Sequence, residues 1–105
     1  GVANGILFPY IVKYNEEAAF GKYRKIYNYI SAEKKCESEF SKGMLEQAVR
    51  ELNAQVGIPA KLSDAGVTDE YFAQMTEDAM KSGNIVVNPQ KTVREDILAL
   101  YKEAL

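Results

Sequence analysis

Few side chains in this chain could do chemistry unaided. There is no histidine among the 105 residues, which removes the commonest general base and the commonest transition-metal ligand together. Cys36 is the single cysteine; it can form no disulfide within the chain, and as a nucleophile it would need a base that the composition does not supply. The carboxylates come in adjacent pairs, Glu16 with Glu17, Asp69 with Glu70, Glu77 with Asp78 and Glu95 with Asp96. Sequence neighbours on a helix point in different directions, so these pairs do not converge on one substrate atom. Asp64, Asp69 and Glu70 lack the spacing of a calcium loop. The tyrosine pairs Tyr10 with Tyr14 and Tyr23 with Tyr27 have i, i+4 helical spacing and read as the rim of a core. Gly1 to Gly5, G-V-A-N-G, follows no visible strand and is not a phosphate-binding loop.

The elements that would carry these residues are helical. From Val2 to Tyr14 the chain is apolar almost without interruption, as in a helix covered on several sides, and Pro9 inside it predicts a kink or a split. Asn15 can end that helix or cap the next, in which Phe20, Tyr23, Ile26, Tyr27 and Ile30 form one stripe. Ser31 to Glu37 reads as a loop. A third helix is expected from Ser38 or Glu39 to Gln55, with Phe40, Leu45, Val49, Leu52 and Val56 inward, stopped by Gly57 and Pro59. Ile58 to Gly66 is a structured connector. Thr68 or Asp69 should cap a fourth helix running to Lys81, carrying Tyr71, Phe72 and Met75 inward. Asn84 to Lys91 reads as an apolar loop. Thr92 and Glu95 have capping-box spacing ahead of a last helix, with Val93, Ile97, Leu100, Tyr101 and Leu105 inward. The result is one all-α domain, a bundle of about five helices with short connections.

Composition agrees with a folded domain: 47% of residues are hydrophobic and 27% charged, in the ordinary globular range. The formal net charge is −2 with both signs interleaved, and the run Lys22, Arg24, Lys25 is answered by Glu16 and Glu17. No basic stripe for nucleic acid exists. The apolar stretch Val2–Val12 falls well short of the roughly 20 residues of a spanning helix and has no positively charged leader. Low cysteine use fits a reducing, cytoplasmic compartment. Gly1 opens directly into an apolar segment with no capping residue before it, an unusual start for a complete domain and more like a cut through something larger.

Three segments resemble the C-terminal part of the iron-dependent, group III alcohol dehydrogenases. Gly1 to Asn15, G-V-A-N-G-I-L-F-P-Y-I-V-K-Y-N, is similar to the signature H-G-x-A-N-A-x-L-x-P-x-x-x-x-Y-N. Val56 to Val67, V-G-I-P-A-K-L-S-D-A-G-V, is similar to L-G-I-P-x-x-L-x-x-x-G-V. Ala79 to Tyr101 contains I-V-V-N-P-Q-K-T-V-R-E-D-I-L-A-L-Y, similar to the ending N-P-R-x-x-x-x-x-D-I-x-x-L-Y. Order and spacing agree, and the wording is most similar to the lactaldehyde reductase and propanediol dehydrogenase branch.

The resemblance implies the C-terminal helical domain of the dehydroquinate synthase-like fold. In the family the signature glycine follows a metal-binding histidine, so the metal ligands and the dinucleotide-binding domain would precede residue 1. The intact enzyme would use Fe2+ and NAD(P) to interconvert primary alcohols and aldehydes, as a homodimer, and residues 1–105 would be an inactive fragment whose partner is its own N-terminal domain. No catalytic, cofactor-binding or metal-binding residue carries over to this chain. By resemblance Gly1, Asn4, Gly83, Asn84, Asn88 and Pro89 lie beside the active site. Asn84 stands where many relatives have cysteine, and Gln90 where they have arginine. A structural role for Asn88 and Pro89, as the turn before the last helix, stands beside substrate contact. The competing reading is a stand-alone helical interaction module that binds a partner through Val2–Val12.

Overall fold

The computed structural model describes residues 2–105; every described segment is helix, turn or coil, with no strand. Helix α1 spans Val2–Ile30, α2 Met44–Gln55, α3 Phe72–Met80, α4 Gly83–Val87 and α5 Arg94–Ala104. Short 3-10 turns lie at Leu62–Ala65 and Asp69–Tyr71. The all-α class and the helical-domain architecture are as the sequence predicts. The helix expected to be capped by Thr68 or Asp69 starts instead as the 3-10 turn Asp69–Tyr71 and becomes α3 at Phe72, with no side-chain cap at either start. The division into elements differs in four further places, each for a local reason.

The first difference is that Pro9 does not split its helix, which keeps helical φ and ψ through it. Proline at position 9 cannot bond the carbonyl of Gly5 four residues earlier. Here the Asn53 side-chain amide of α2 donates to that carbonyl at 2.9 Å, so the freed acceptor is satisfied and helical geometry continues. Gly5 also gives room to the connector after α2: a Cβ there would sit 3.0 Å from the end of the Ile58 side chain, which would have to give way. The chain also runs helically through Asn15 and bends only at Ala19, with φ −124° and ψ 17°. Ala19 is buried; α2, the most extensive packing partner of α1, runs beside its first half from Gly5 to Glu16, and the bend lets Tyr23 join the same apolar cluster as Leu45 and Val49.

Secondly, α2 begins at Met44 rather than at Ser38 or Glu39. Residues 36–40 form a turn in which the Cys36 carbonyl accepts from Glu39 N–H and Phe40 N–H at 3.0 and 3.1 Å. Gly43 then takes a left-handed φ of 86°, which costs glycine little. Glu16, which the sequence places on a polar face, is buried and accepts the Gly43 N–H at 2.6 Å. A carboxylate at a helix N-terminus is favoured both as acceptor and by the helix dipole.

The third concerns the stretch predicted as a loop between Asn84 and Lys91, which contains the short helix α4, capped by the Ser82 hydroxyl accepting the Asn84 N–H at 3.2 Å. Lastly, the start of α5 is shifted one residue from the expected Thr92 and Glu95 pair. The Thr92 hydroxyl donates instead to the Gln90 carbonyl at 2.9 Å, and Asp96 accepts the Val93 N–H at 2.9 Å.

Two apolar clusters hold the helices. One gathers Ile6, Leu7 and Tyr10 of α1 with Leu62, Phe72 and Ala104; the other gathers Val12, Ala19 and Tyr23 with Phe40, Leu45 and Val49. Phe40 meets the rings of Phe20 and Tyr27 at 5.1 and 5.5 Å, distances at which tilted aromatic pairs attract. Several residues expected inward lie outside both clusters: Ile26, Ile30, Leu52, Val56, Tyr71, Val93 and Leu105 are exposed. After the bend at Ala19 the covered face of α1 runs through Phe20, Tyr23 and Tyr27, so Ile26 lies on its flank, and Ile30 is the last residue of the helix. The all-round apolar start of α1 is covered on one side only, leaving Phe8 52% and Val2 56% exposed.

Candidate functional site

Helices α1, α3, α4 and α5 enclose a groove of about 530 Å³. Its α1 wall is Asn4, Leu7 and Ile11, one helical face at steps of three and four. Met75 and Ala79 of α3 and Leu100 and Tyr101 of α5 form the floor, and Asn84 and Ile85 of α4 close the side. A smaller recess of about 180 Å³ continues from it, sharing Ile11, Asn84, Ile85 and Leu100 and ending on Tyr14, Asn88 and Thr92. The lining is mostly aliphatic, with carboxamides at its edge, the arrangement of a site that takes an apolar body with few polar groups.

Beside the recess lies a polar cluster. Asn15 Nδ2 donates to Asn88 Oδ1 at 2.9 Å and Asn88 Nδ2 donates back to Asn15 Oδ1 at 2.8 Å. Asn88 Nδ2 also lies 2.8 Å from the Gln90 carbonyl and 3.1 Å from the Thr92 hydroxyl. The Tyr14 hydroxyl donates to the Lys91 carbonyl at 3.3 Å and lies 3.2 Å from the Thr92 hydroxyl. Asn88 takes extended geometry, φ −62° and ψ 139°, as a residue before proline must.

Electrostatics in the groove are mild. Asp78 is its one carboxylate, and neither lining includes a lysine or arginine among the described residues. Burial, and then the nearby Asp78 charge, hold the Tyr101 hydroxyl above its ordinary pKa, so it stays protonated as a donor. Glu77 and Arg94 pair at 2.6 and 3.0 Å outside the groove; that ion pair lowers the Glu77 pKa and raises that of Arg94.

Of the positions singled out in the sequence, Gly1 lies outside the described residues. Asn4 and Asn84 are brought together, on opposite walls of the same groove. Gly83 begins α4 without lining the groove, Asn88 borders the smaller recess, and Pro89 is exposed beyond it. Asn15, read as a helix end or cap, is instead the buried partner of Asn88. The aliphatic lining was legible only as core periodicity: Ile11, Ile85 and Leu100 carry no sign in the sequence that they face a groove rather than a neighbour.

The model of the Fe-containing alcohol dehydrogenase family, C-terminal, matches residues 1–105. The chain belongs to that family. Its resemblance to the iron-dependent alcohol dehydrogenases is thereby shown over the whole length. The chain is 35% identical to lactaldehyde reductase of Escherichia coli (strain K12) over 105 residues, 99% of the chain and 28% of that protein. It is 33% identical to 1,3-propanediol dehydrogenase of Citrobacter freundii over 105 residues, covering 27% of that protein. A solved structure described as 1,3-propanediol oxidoreductase superposes on all of the chain with a TM-score of 0.83 and 31% identity, and the chain covers 28% of it. The chain therefore spans little more than a quarter of the length of these relatives.

The family's name implies iron, and the residues do not fit it. Among the described residues no three of His, Cys, Asp and Glu come together as a metal-binding group. The groove's neutral carboxamides and single carboxylate are likewise a poor donor set for a transition metal. Nor does the groove offer the cationic or glycine-rich backbone cradle that a dinucleotide pyrophosphate requires.

Proposed function

We propose that residues 1–105 serve as the C-terminal helical domain of an iron-dependent alcohol dehydrogenase that interconverts primary alcohols and aldehydes with NAD(P). In this reading Fe2+ and the nicotinamide cofactor are held by polypeptide outside these residues, and this domain supplies one wall of the substrate cleft. Asn4 and Asn84 stand at the polar edge of that wall, with Gly83, Asn88 and Pro89 close to Asn84 in the chain; Gly1 joins them by the resemblance alone. The observation that carries the reading is the match of the family's C-terminal model to the whole chain, while relatives named for dehydrogenase and reductase activities are over three times its length.

Surface area supports it. The chain exposes 6900 Å², against roughly 5,900 Å² for a compact monomer of its mass. The excess is close to the ~800 Å² that each side of a standard interface buries. Val2 and Phe8 on α1, Ile11 at the groove, and Val86 and Val87 on α4 are exposed apolar side chains available to be covered. The intact protein, on the pattern of its relatives' chemistry, would be a cytoplasmic homodimer acting on small alcohols or aldehydes. No helix of the described residues is long and apolar enough to cross a membrane.

The test is ligand binding by the 105-residue chain and by the full-length protein. Titration with Fe2+ and with NAD(H) should show no specific binding to residues 1–105 and one site for each in the longer chain. Stoichiometric binding of either by residues 1–105 alone would refute the assignment. The alternative, an autonomous interaction module, predicts a monodisperse 105-residue monomer, whereas a separated domain should self-associate through its uncovered apolar face.

A further inference from the structure

Helix α4 is held in an unusual way. Five residues make little more than one turn, too short to be stable alone, and α4 has no extensive packing against any other described helix. Val86 and Val87 are 87% and 75% exposed; only Ile85 is half-buried. Yet Asn84 and Ile85 form the side wall of the groove and of its recess. Two ties join this segment to α1: the carboxamide of Asn88, immediately after its last turn, locked to the buried Asn15 by two reciprocal hydrogen bonds at 2.9 and 2.8 Å, and further along the longer, exposed bond from the Tyr14 hydroxyl to the Lys91 carbonyl at 3.3 Å.

Asn15 is only 5% exposed, and Asn88 is the one partner its side-chain amide has among the described residues. A buried carboxamide without its partner is costly, so the pair is maintained from both ends. Pro89 adds to this by keeping Asn88 extended, which presents the side chain back toward α1.

We propose that Asn15 and Asn88 are positioning residues: their amide pair is the latch that fixes α4 against α1 and so sets the width of the apolar groove. Neither residue needs to touch a bound molecule. Losing the pair frees Asn84 and Ile85 to move outward as a unit, with the two principal clusters of the core left intact. The inference rests on the proposed function only insofar as the groove is called a wall of the alcohol site.

The experiment is hydrogen–deuterium exchange on the full-length protein, comparing the segment 82–91 with α2 as an internal control. Variants are Asn15→Ala, Asn88→Ala, the double variant, and Asn15→Asp, which still accepts from Asn88 but can no longer donate. Loss of two neutral hydrogen bonds should raise exchange of 82–91 by about tenfold at early times, with α2 unchanged. The double variant should match Asn88→Ala, since the pair acts as one unit, and Asn15→Asp should lie between wild type and Asn15→Ala. Unchanged exchange in 82–91, an equal rise in α2, or additive single effects would overturn the latch. Should Asn15→Ala fail to fold, Asn88→Ala and Asn15→Asp decide on the same segment. In steady-state kinetics with a primary alcohol, the unlatched variants should raise KM with kcat nearly unchanged, as expected for residues that hold a binding wall; a fall in kcat alone would also count against the proposal. Absence of turnover in the wild type would reject the function reading, while the exchange results would still decide on the latch.

Discussion

At the scale of single residues, the fold depends on polar side chains that satisfy backbone groups freed by special residues. Asn53 is the plainest case: it replaces the hydrogen bond that Pro9 denies to the Gly5 carbonyl. Asn53→Ala should therefore cost about 1 kcal/mol, the loss of a part-buried hydrogen bond whose acceptor has no other protein partner. Urea denaturation would measure it, and a loss below about 0.5 kcal/mol, the range of ordinary surface changes, would show that the Pro9 region is satisfied otherwise. Nothing in the sequence pairs residue 53 with residue 5. Proline in a helix pattern signals a break, and the repair comes from a residue 48 positions away. Glu16 and Asn15 were illegible for the same reason, since polar residues in an apolar run resemble an exposed edge until their partners Gly43 and Asn88 are in place.

Tyr23 gives a prediction in pH. It is buried, and its hydroxyl donates to the Val12 carbonyl at 2.8 Å; burial first, and then the Glu16 charge, raise its pKa above the ordinary value of 10.0. The folded state therefore holds this proton more tightly than the unfolded chain. Its contribution is complete below the unfolded pKa and is lost as pH climbs from there through the folded one. Stability should fall above about pH 10, and Tyr23→Phe should flatten part of that fall while costing about 1 kcal/mol near neutrality. Denaturation midpoints of both proteins from pH 8 to 11 would check this; an identical alkaline slope would contradict it. Tyr101, raised for a similar reason, accounts for a slope that persists.

At the scale of elements, periodicity found the helices and misjudged their seams. The stripes of α2, α3 and α5 were readable in their middles, where buried and half-buried residues such as Leu45, Ala48 and Val49, Phe72, Met75 and Ala79, and Ile97, Tyr101 and Ala104 recur at three and four, and not at their ends, where Val56, Tyr71, Val93 and Leu105 are exposed. The continuity of α1 across Asn15 was not, because tertiary contacts with α2 decide where it bends. The short helix α4 was not readable either: five residues carry no period, and its apolar side chains are mostly uncovered. The start of α2 offers a test. Gly43 has φ 86° and open space where a Cβ would be, so Gly43→Ala meets no clash and should lose only about 1 kcal/mol from left-handed backbone strain. In the first cluster Phe72, 2% exposed, stacks on Tyr101 at 5.6 Å. Phe72→Ala should cost about 3–5 kcal/mol, a loss that thermal unfolding would register as loss of most of a small domain's stability. Near-wild-type melting would mean that α3 is not essential to the core.

As a whole molecule the chain is a thin slab, 43 × 31 × 18 Å, with two modest apolar clusters instead of one central core. Its radius of gyration of 14.6 Å exceeds the ~13 Å of a compact domain of this length. Breadth without thickness is what a wall requires, and it explains why composition suggested an ordinary globular protein while the built surface remains incompletely covered. The family was legible from three short segments in the right order; the groove they surround became visible only when α1, α3, α4 and α5 were assembled. The central claim is that these helices act within a larger dehydrogenase. Alcohol-dependent NAD(P) reduction in the presence of Fe2+, measured side by side on the full-length protein and on residues 1–105, tests it most directly. The account predicts turnover by the full-length protein and none by the 105-residue chain; turnover by the short chain, or a correctly folded, iron-loaded full-length protein that reduces neither cofactor with any primary alcohol, would contradict it.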